Sequence, residues 1–314
     1  MAKLNKKSIS FILFDWGTSP LPTIHTTFIF SVYFINLIAI NNGTFIWGCI
    51  VGLAGILTAC FGPIIGSYSD KKGNRKVILL FLTFVGFVST SLLWFAKPGT
   101  EYLVFATIFS CISILSMELI FVLYNSLLSK TSRKNNVGQI SGYAWSAGYI
   151  GGMLSLAICL VLFIFPEKLP FGFPKENGAD VRSCMLFISF WLMIFCIPLF
   201  FYIEEPKKNQ TTKSTLTYLT DGLNKVYNSK NILRYFVARI FYFDALATLF
   251  AFGGIYASEI FKFNQIEILY FAIIINISAA LGSIFGGYFD DKFSPFHIIR
   301  LSLLGLICFA IILI

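Results

Sequence analysis

Seven polar side chains inside long apolar segments are the candidates for binding a solute or exchanging a proton. They are Asp15, His25, Glu118, Tyr124, Asn125, Arg239 and Asp244. An ionisable group is expensive to place inside an apolar membrane span, so it usually faces a cavity and marks an ion or substrate pathway. We therefore expect these residues to bind or couple rather than to catalyse a covalent reaction.

The two acids at the ends of this set differ in depth. Asp15 lies near the start of the first apolar segment, so it is either an interfacial acid paired with Lys6 or Lys7 or a coupling and gating acid. Asp244 lies deeper in its segment, near the middle of a span, and is the better candidate for coupling. Arg239 precedes Asp244 by five positions, about 140° around a helix, so the two do not simply pair on one face.

The remaining candidates each allow a structural and a functional interpretation. Glu118 could pair with Arg239, bind a cationic substrate group or carry a proton. A single histidine such as His25 more often packs through a hydrogen bond than relays protons. Tyr124 and Asn125 could contact substrate or tie their helix to a neighbour.

The composition requires a membrane environment. Hydrophobic residues make up 57% of the 314 positions and charged residues only 12%, and the mean hydropathy is +0.78. A soluble core cannot absorb that apolar share, whereas a bilayer can. The seven cysteines lie in apolar segments without disulfide or metal spacing, and we expect no metal and no cofactor. With only two histidines and no nucleotide-binding loop, the sequence does not favour an enzyme or a direct ATP-driven pump.

The apolar runs predict an all-α integral membrane protein with nine helices. We place them near 10–39, 46–69, 77–96, 101–129, 139–165, 182–203, 232–257, 266–289 and 297–314. With the N-terminus in the cytoplasm, sixteen Lys and Arg residues fall in inner segments and five in outer ones. The net charge of +9 then faces membrane lipid rather than nucleic acid, and we expect the plasma (inner) membrane.

A charged turn between the second and third helices repeats in weaker form later in the chain. The turn reads GSYSDKKGNRK, and "GYFDD" at 287–291 repeats its helix end at an offset of 220, keeping Gly286 and Asp290. The spacing predicts a cytoplasmic gating loop, because a glycine can admit a neighbouring helix and charges can make and break contacts. A plain basic turn is the alternative. The predicted loop residues are Gly66, Asp70, Gly73, Arg75 and Lys76.

Several stretches resemble the autophagy-related vacuolar effluxer family of the major facilitator superfamily. They are FDWGTSPLPTIHTTFIFSVYF (14–34), YNSLL (124–128), SGYAWSAGYIGG (141–152) and ARIFYFDALATLFAFGGIYA (238–257). Gly17 and Thr18 depart from the Ala and Asn common in that family. The resemblance implies a major facilitator fold and a secondary transporter that moves a small solute, such as an amino acid or related metabolite, by alternating access.

The twelve-helix plan of that superfamily predicts two halves in this chain. They are a six-helix half at 1–203 and an incomplete three-helix half at 232–314, joined by a cytoplasmic linker at 204–231. The expected partners are a small-molecule substrate and membrane lipid. Because we expect a fragment, a separately encoded C-terminal piece is a further expected partner. The alternative to transport is a truncated remnant without function.

Overall fold

The computed structural model describes residues 4–132, 135–172, 174–205, 215–263 and 265–313, and the regular elements in these ranges are all helical. The first span is α1 (Lys6–Thr18), a π-helical stretch (Leu21–Phe28), the short α2 (Phe30–Tyr33) and a second π-helical stretch (Phe34–Ile38). The other helices of the first half are α3 (Gly43–Lys72), α4 (Arg75–Leu92), α5 (Leu103–Thr131), α6 (Val137–Cys159) and α7 (Ala179–Tyr202). They are followed by α8 (Thr215–Asn228), α9 (Lys230–Glu259), α10 (Gln265–Lys292) and α11 (Pro295–Leu313).

The all-helical membrane architecture is confirmed. Each of the nine predicted segments corresponds to a helix in the described ranges, with ends displaced by a few residues. By length and composition, eight described stretches could cross a membrane. The seventh predicted segment corresponds to α9.

The predicted linker contains a helix that the sequence interpretation missed. Residues 206–214 lie outside the described residues, but Thr215–Asn228 form α8, which packs against α3. Hydrophobic side chains recur along one face of α8 at helical spacing, which is the pattern of an amphipathic helix. These residues are Leu219, Leu223, Val226 and Tyr227.

Local sequence explains where α1 and α3 begin and end. The Asn5 side chain accepts a hydrogen bond from the Ser8 N–H at 2.8 Å, so it caps the start of α1. Gly73 adopts φ 69° directly after α3, and its N–H donates to the Ser69 carbonyl at 2.9 Å. A residue with a side chain is strained in this left-handed conformation, which accounts for glycine at the turn.

The core of the first half forms around α1, which packs against α5, α6 and α7. Phe11 and Phe14 of α1 are buried against the ring of Tyr124 from α5. On another side, the indole N–H of Trp191 donates to the Trp16 carbonyl at 3.1 Å, and the two indole rings stack. These contacts fix the position of α1 and therefore of Asp15.

The later helices join this core mainly through α10, which packs along α6. The turn between α10 and α11 has the same layout as the turn between α3 and α4. The helices before the turns end at Lys72 and Lys292, and the helices after them begin at Arg75 and Pro295. Both pairs are separated by 220 positions, the offset of the repeat in the sequence.

Candidate functional site

A cleft between α1, α6 and α10 contains one of the predicted candidate residues, Asp15. Its volume is about 320 Å³, which is at the lower end of the range typical of small-molecule sites. Asp15 is 7% exposed. The lining residues are Asp15, Ser19, Pro22, Thr23, Phe28, Phe121, Trp145, Gly148, Tyr149, Gly152, Met153, Leu156, Ala272, Ile273 and Asn276.

Glycines of α6 let the polar face of α1 come close. A Cβ atom at Gly148 would lie 2.6 Å from Ser19 Oγ and 3.2 Å from Asp15 Oδ1, and a Cβ at Gly152 would lie 2.8 Å from Thr23 Oγ1. Real Cβ contacts are essentially never shorter than 3.0 Å. The small-residue spacing of α6 therefore positions Asp15 at the helix interface.

The hydroxyl groups of the cleft are hydrogen-bonded to backbone carbonyls. Ser19 Oγ donates to the Asp15 carbonyl at 2.8 Å, and Thr23 Oγ1 donates to the Ser19 carbonyl at 2.9 Å. On α10, Asn276 Nδ2 donates to the Ala272 carbonyl at 2.9 Å. These bonds fix the side chains of two helices that meet across the cleft.

His25 and Tyr124 lie in the packed core and do not line the cleft. His25 is 1% exposed, its Nε2 lies 3.2 Å from Ser110 Oγ, and its ring contacts Phe30 and Trp47. The Tyr124 hydroxyl donates to the Phe11 carbonyl at 2.9 Å. Both side chains therefore join helices of the first half.

Glu118 and Asn125 lie on an exposed face of α5. They share this face with Phe121 and Val122, because these positions recur at helical spacing. Phe121 reaches the Asp15 cleft, whereas Val122 borders a groove formed with α3 and α8. The face that carries Glu118 thus lies between two cavities of the described chain.

Arg239 and Asp244 are exposed on α9 and are not among the residues that line the Asp15 cleft. In the described residues, α9 packs mainly against α8 and α10. The structure does not bring Asp244 to Asp15. Their roles stay predictions.

The predicted gating loop is held by contacts with α3, α5 and the residues that follow α7. Arg75 forms an ion pair with Asp70, and its Nη1 donates to the Ser126 carbonyl at 3.3 Å. The backbone N–H of Lys76 donates to Glu205 Oε1 at 2.8 Å. A Cβ at Gly66 would meet no atom within 4 Å among the described residues, so this face of α3 is not in close helix contact.

The second copy of the loop connects α10 to α6 through a residue that the sequence interpretation did not single out. Asp291 accepts hydrogen bonds from the Gly138 N–H at 2.7 Å and from the Gln139 N–H at 2.9 Å. The Gln139 side-chain amide donates to the same carboxylate at 3.1 Å. The repeat aligns Asp70 with Asp290, which is why the sequence did not single out the neighbouring Asp291. The second Asp of GYFDD is the feature of the sequence that could have indicated it.

Two family profiles together cover nearly the whole sequence. Residues 129–314 match the family described as vacuole effluxer Atg22 like, and residues 8–156 match the Major Facilitator Superfamily. The first match alone covers more than half of the chain.

Two relatives and one solved structure are similar to the chain. The uncharacterized MFS-type transporter YxiO of Bacillus subtilis (strain 168) is 20% identical over 303 residues, covering 94% of this chain and 70% of that protein. An uncharacterized protein of Aquifex aeolicus (strain VF5) is 23% identical over 289 residues, covering 91% of this chain and 66% of that protein. The structure of the proton:xylose symporter XylE superposes with a TM-score of 0.57 at 12% identity, covering 92% of this chain and 68% of XylE.

The chain thus spans about two thirds of the length of these proteins. The helical membrane architecture, the profile matches and the major facilitator neighbour lead to one assignment. The chain belongs to the vacuole effluxer Atg22-like family of the major facilitator superfamily of transporters.

Proposed function

We propose that the protein is a secondary transporter that moves a small solute across the membrane by alternating access, with the Asp15 cleft as part of its substrate site. The observation that carries this proposal is the buried carboxylate in a cleft where α10 meets α1 and α6. A site between packed helices that come from different parts of the chain can open to either side when those parts rock.

The proposed substrates are amino acids or related metabolites. Support comes from the family description, which names an effluxer, and from the size of the cleft, which suits a small molecule. The apolar and aromatic lining would contact a side chain, and Asp15 would contact a polar group.

We further propose that the 204–231 linker joins two halves at 1–203 and 232–314. We also propose that the protein lies in the plasma membrane with its N-terminus on the cytoplasmic side. Single cysteines at Lys130 and Lys97 of a cysteine-free variant provide the topology test. A membrane-impermeant maleimide should label Lys97→Cys from outside intact cells and leave Lys130→Cys unlabelled. The opposite pattern would reverse the orientation.

The direct test of transport uses the full chain reconstituted in liposomes. Vesicles loaded with one unlabelled amino acid are mixed with the same labelled compound outside, and counterflow is followed for each amino acid in turn. We expect accumulation with at least one of them, and we expect Asp15→Asn to abolish it. Glu167→Gln, in an exposed loop, is the matched charge control.

The possible results separate the candidates. Transport that is unchanged in a folded Asp15→Asn variant would exclude Asp15 from the site. Counterflow that appears only after co-expression with the C-terminal helices of a relative would support the proposed helical partner. Absence of counterflow under both conditions would favour the non-transporting remnant.

A further inference from the structure

The polar groups that α1 and α10 bring to the cleft offer mainly hydrogen-bond acceptors. The hydroxyl protons of Ser19 and Thr23 are donated to backbone carbonyls at 2.8 and 2.9 Å. A hydroxyl that has donated its proton keeps acceptor lone pairs. Asn276 donates one amide hydrogen to the Ala272 carbonyl at 2.9 Å, which leaves its amide oxygen as an acceptor and its second amide hydrogen as a donor.

Asp15 adds a negative charge to this set of acceptors. The residue is 7% exposed, and the ion pairs in the described part of the chain involve other residues. The described residues that line the cleft include no Lys, Arg or His. A buried carboxylate without a basic partner is costly unless a cation or a proton compensates it.

The remaining wall of the cleft is mainly apolar and aromatic, and Tyr149 and Trp145 also carry a hydroxyl and an indole N–H that can donate hydrogen bonds. Trp145 and Tyr149 of α6 line it with ring centroids 6.2 Å apart, and Phe28 and Phe121 also line it. Aromatic ring faces attract cations, most strongly when the cation is shielded from water. The walls therefore suit a molecule that combines an apolar body with a positive charge.

We propose that the cleft recognises a small apolar solute through a protonated primary amine placed against Asp15. An ammonium group has three donors and no acceptor, which complements the acceptors of Asp15, Ser19, Thr23 and Asn276. This inference rests on the proposed function for its role in transport, but recognition itself can be measured without transport.

Isothermal titration calorimetry on the purified full chain in detergent tests the proposal with two probes of equal carbon number. Butylamine carries the predicted ammonium, and butyrate carries a carboxylate instead. We expect butylamine to bind and butyrate not to bind. Asp15→Asn should weaken butylamine binding by roughly 10- to 100-fold, because it removes a charge-assisted hydrogen bond. Glu167→Gln should bind like the unmodified protein.

A second variant protects the test against misfolding of Asp15→Asn. Asn276→Ala removes an acceptor from the opposite side of the cleft and should weaken butylamine binding by about fivefold, the effect of one neutral hydrogen bond. Binding of both probes alike, binding of neither, or butylamine binding that is unchanged in both folded variants would overturn the proposal. Butylamine binding without counterflow of any solute would leave it standing and reject the proposed function. Counterflow without butylamine binding would overturn the inference that the cleft recognises an amine and would leave the proposed transport function standing.

Discussion

Replacing Asp291 with alanine should loosen the contact between α10 and the start of α6. The variant removes the acceptor of three hydrogen bonds, from the Gly138 N–H at 2.7 Å, the Gln139 N–H at 2.9 Å and the Gln139 amide at 3.1 Å. The first two N–H groups belong to the first turn of α6, where backbone donors lack partners within the helix. Asp291 therefore acts as an N-cap supplied by another helix.

The expected loss is about 1–3 kcal/mol. Removing a side-chain cap costs about 0.5–2 kcal/mol, and the interaction of a negative charge with the helix N-terminus adds about 0.3–1 kcal/mol. A change of this size shifts a two-state equilibrium by about 5- to 150-fold. The close approach of the backbones supports the same contact, because a Cβ at Gly138 would lie 2.6 Å from the Gly287 carbonyl oxygen.

Distances between spin labels can measure this shift. The labels are placed at Lys130→Cys and Lys292→Cys in a background without the seven native cysteines. They report the distance between the C-terminal end of α5, which precedes the start of α6, and the C-terminal end of α10. We expect Asp291→Ala to increase the population with a long distance. Asp290→Ala is the matched control, since it removes the neighbouring acid that the repeat aligns with Asp70.

Two results would refute the reasoning. Distance distributions that are the same with and without Asp291 would show that the hydrogen bonds do not hold the helix ends together. An equal opening in Asp290→Ala would show that the total negative charge matters rather than the cap.

Tyr124→Phe should lower the free energy of unfolding by about 1 kcal/mol, because it leaves the stacked ring but removes a buried hydrogen bond to a carbonyl of α1; the melting temperature in detergent measures this, and an unchanged value would contradict it. Gly148→Ala should reduce counterflow, since the added Cβ would lie 3.2 Å from Asp15 Oδ1; full activity would mean that the cleft tolerates the displacement of α1. The hydrogen bond and charge of Lys7 lower the pKa of Glu204, so any stabilisation by this exposed pair is present at neutral pH and is lost as the pH falls through the lowered pKa. Glu204→Gln should therefore have a small effect that disappears at high salt, which thermal unfolding at two ionic strengths can check.

The helices were predictable because each long apolar run has one solution in a bilayer. Lipid cannot satisfy backbone donors and acceptors, so an apolar segment of sufficient length must satisfy them internally as a helix. This requirement is local, and the predicted segments therefore match the helices closely. The paired glycines of α6, four positions apart, are typical of close helix contact, and Gly138, Gly148 and Gly152 lie at such contacts.

Other features depend on contacts that no local pattern specifies. The position of Asp291 follows from where α10 meets α6, more than 150 positions earlier in the chain. Likewise, depth along a segment suggested Asp244 as the better acid, but the cleft forms around Asp15 because the glycines of α6 face it. The helix α8 lies in the polar linker, where no long apolar run requires a helix, so hydropathy alone does not predict it.

The π-helical turns of the first span give it a built-in means of rotation. In these stretches the Ile29 N–H donates to the Ile24 carbonyl at 3.1 Å and the Ala39 N–H donates to the Phe34 carbonyl at 2.7 Å, five residues back instead of four. An α-helix advances about 100° per residue, so changing one such turn to α geometry would turn everything beyond it by about that angle. Asp15 lies before both stretches and would stay in place. A change in the first stretch would rotate Phe28 and the later part of the span about the helix axis relative to Asp15.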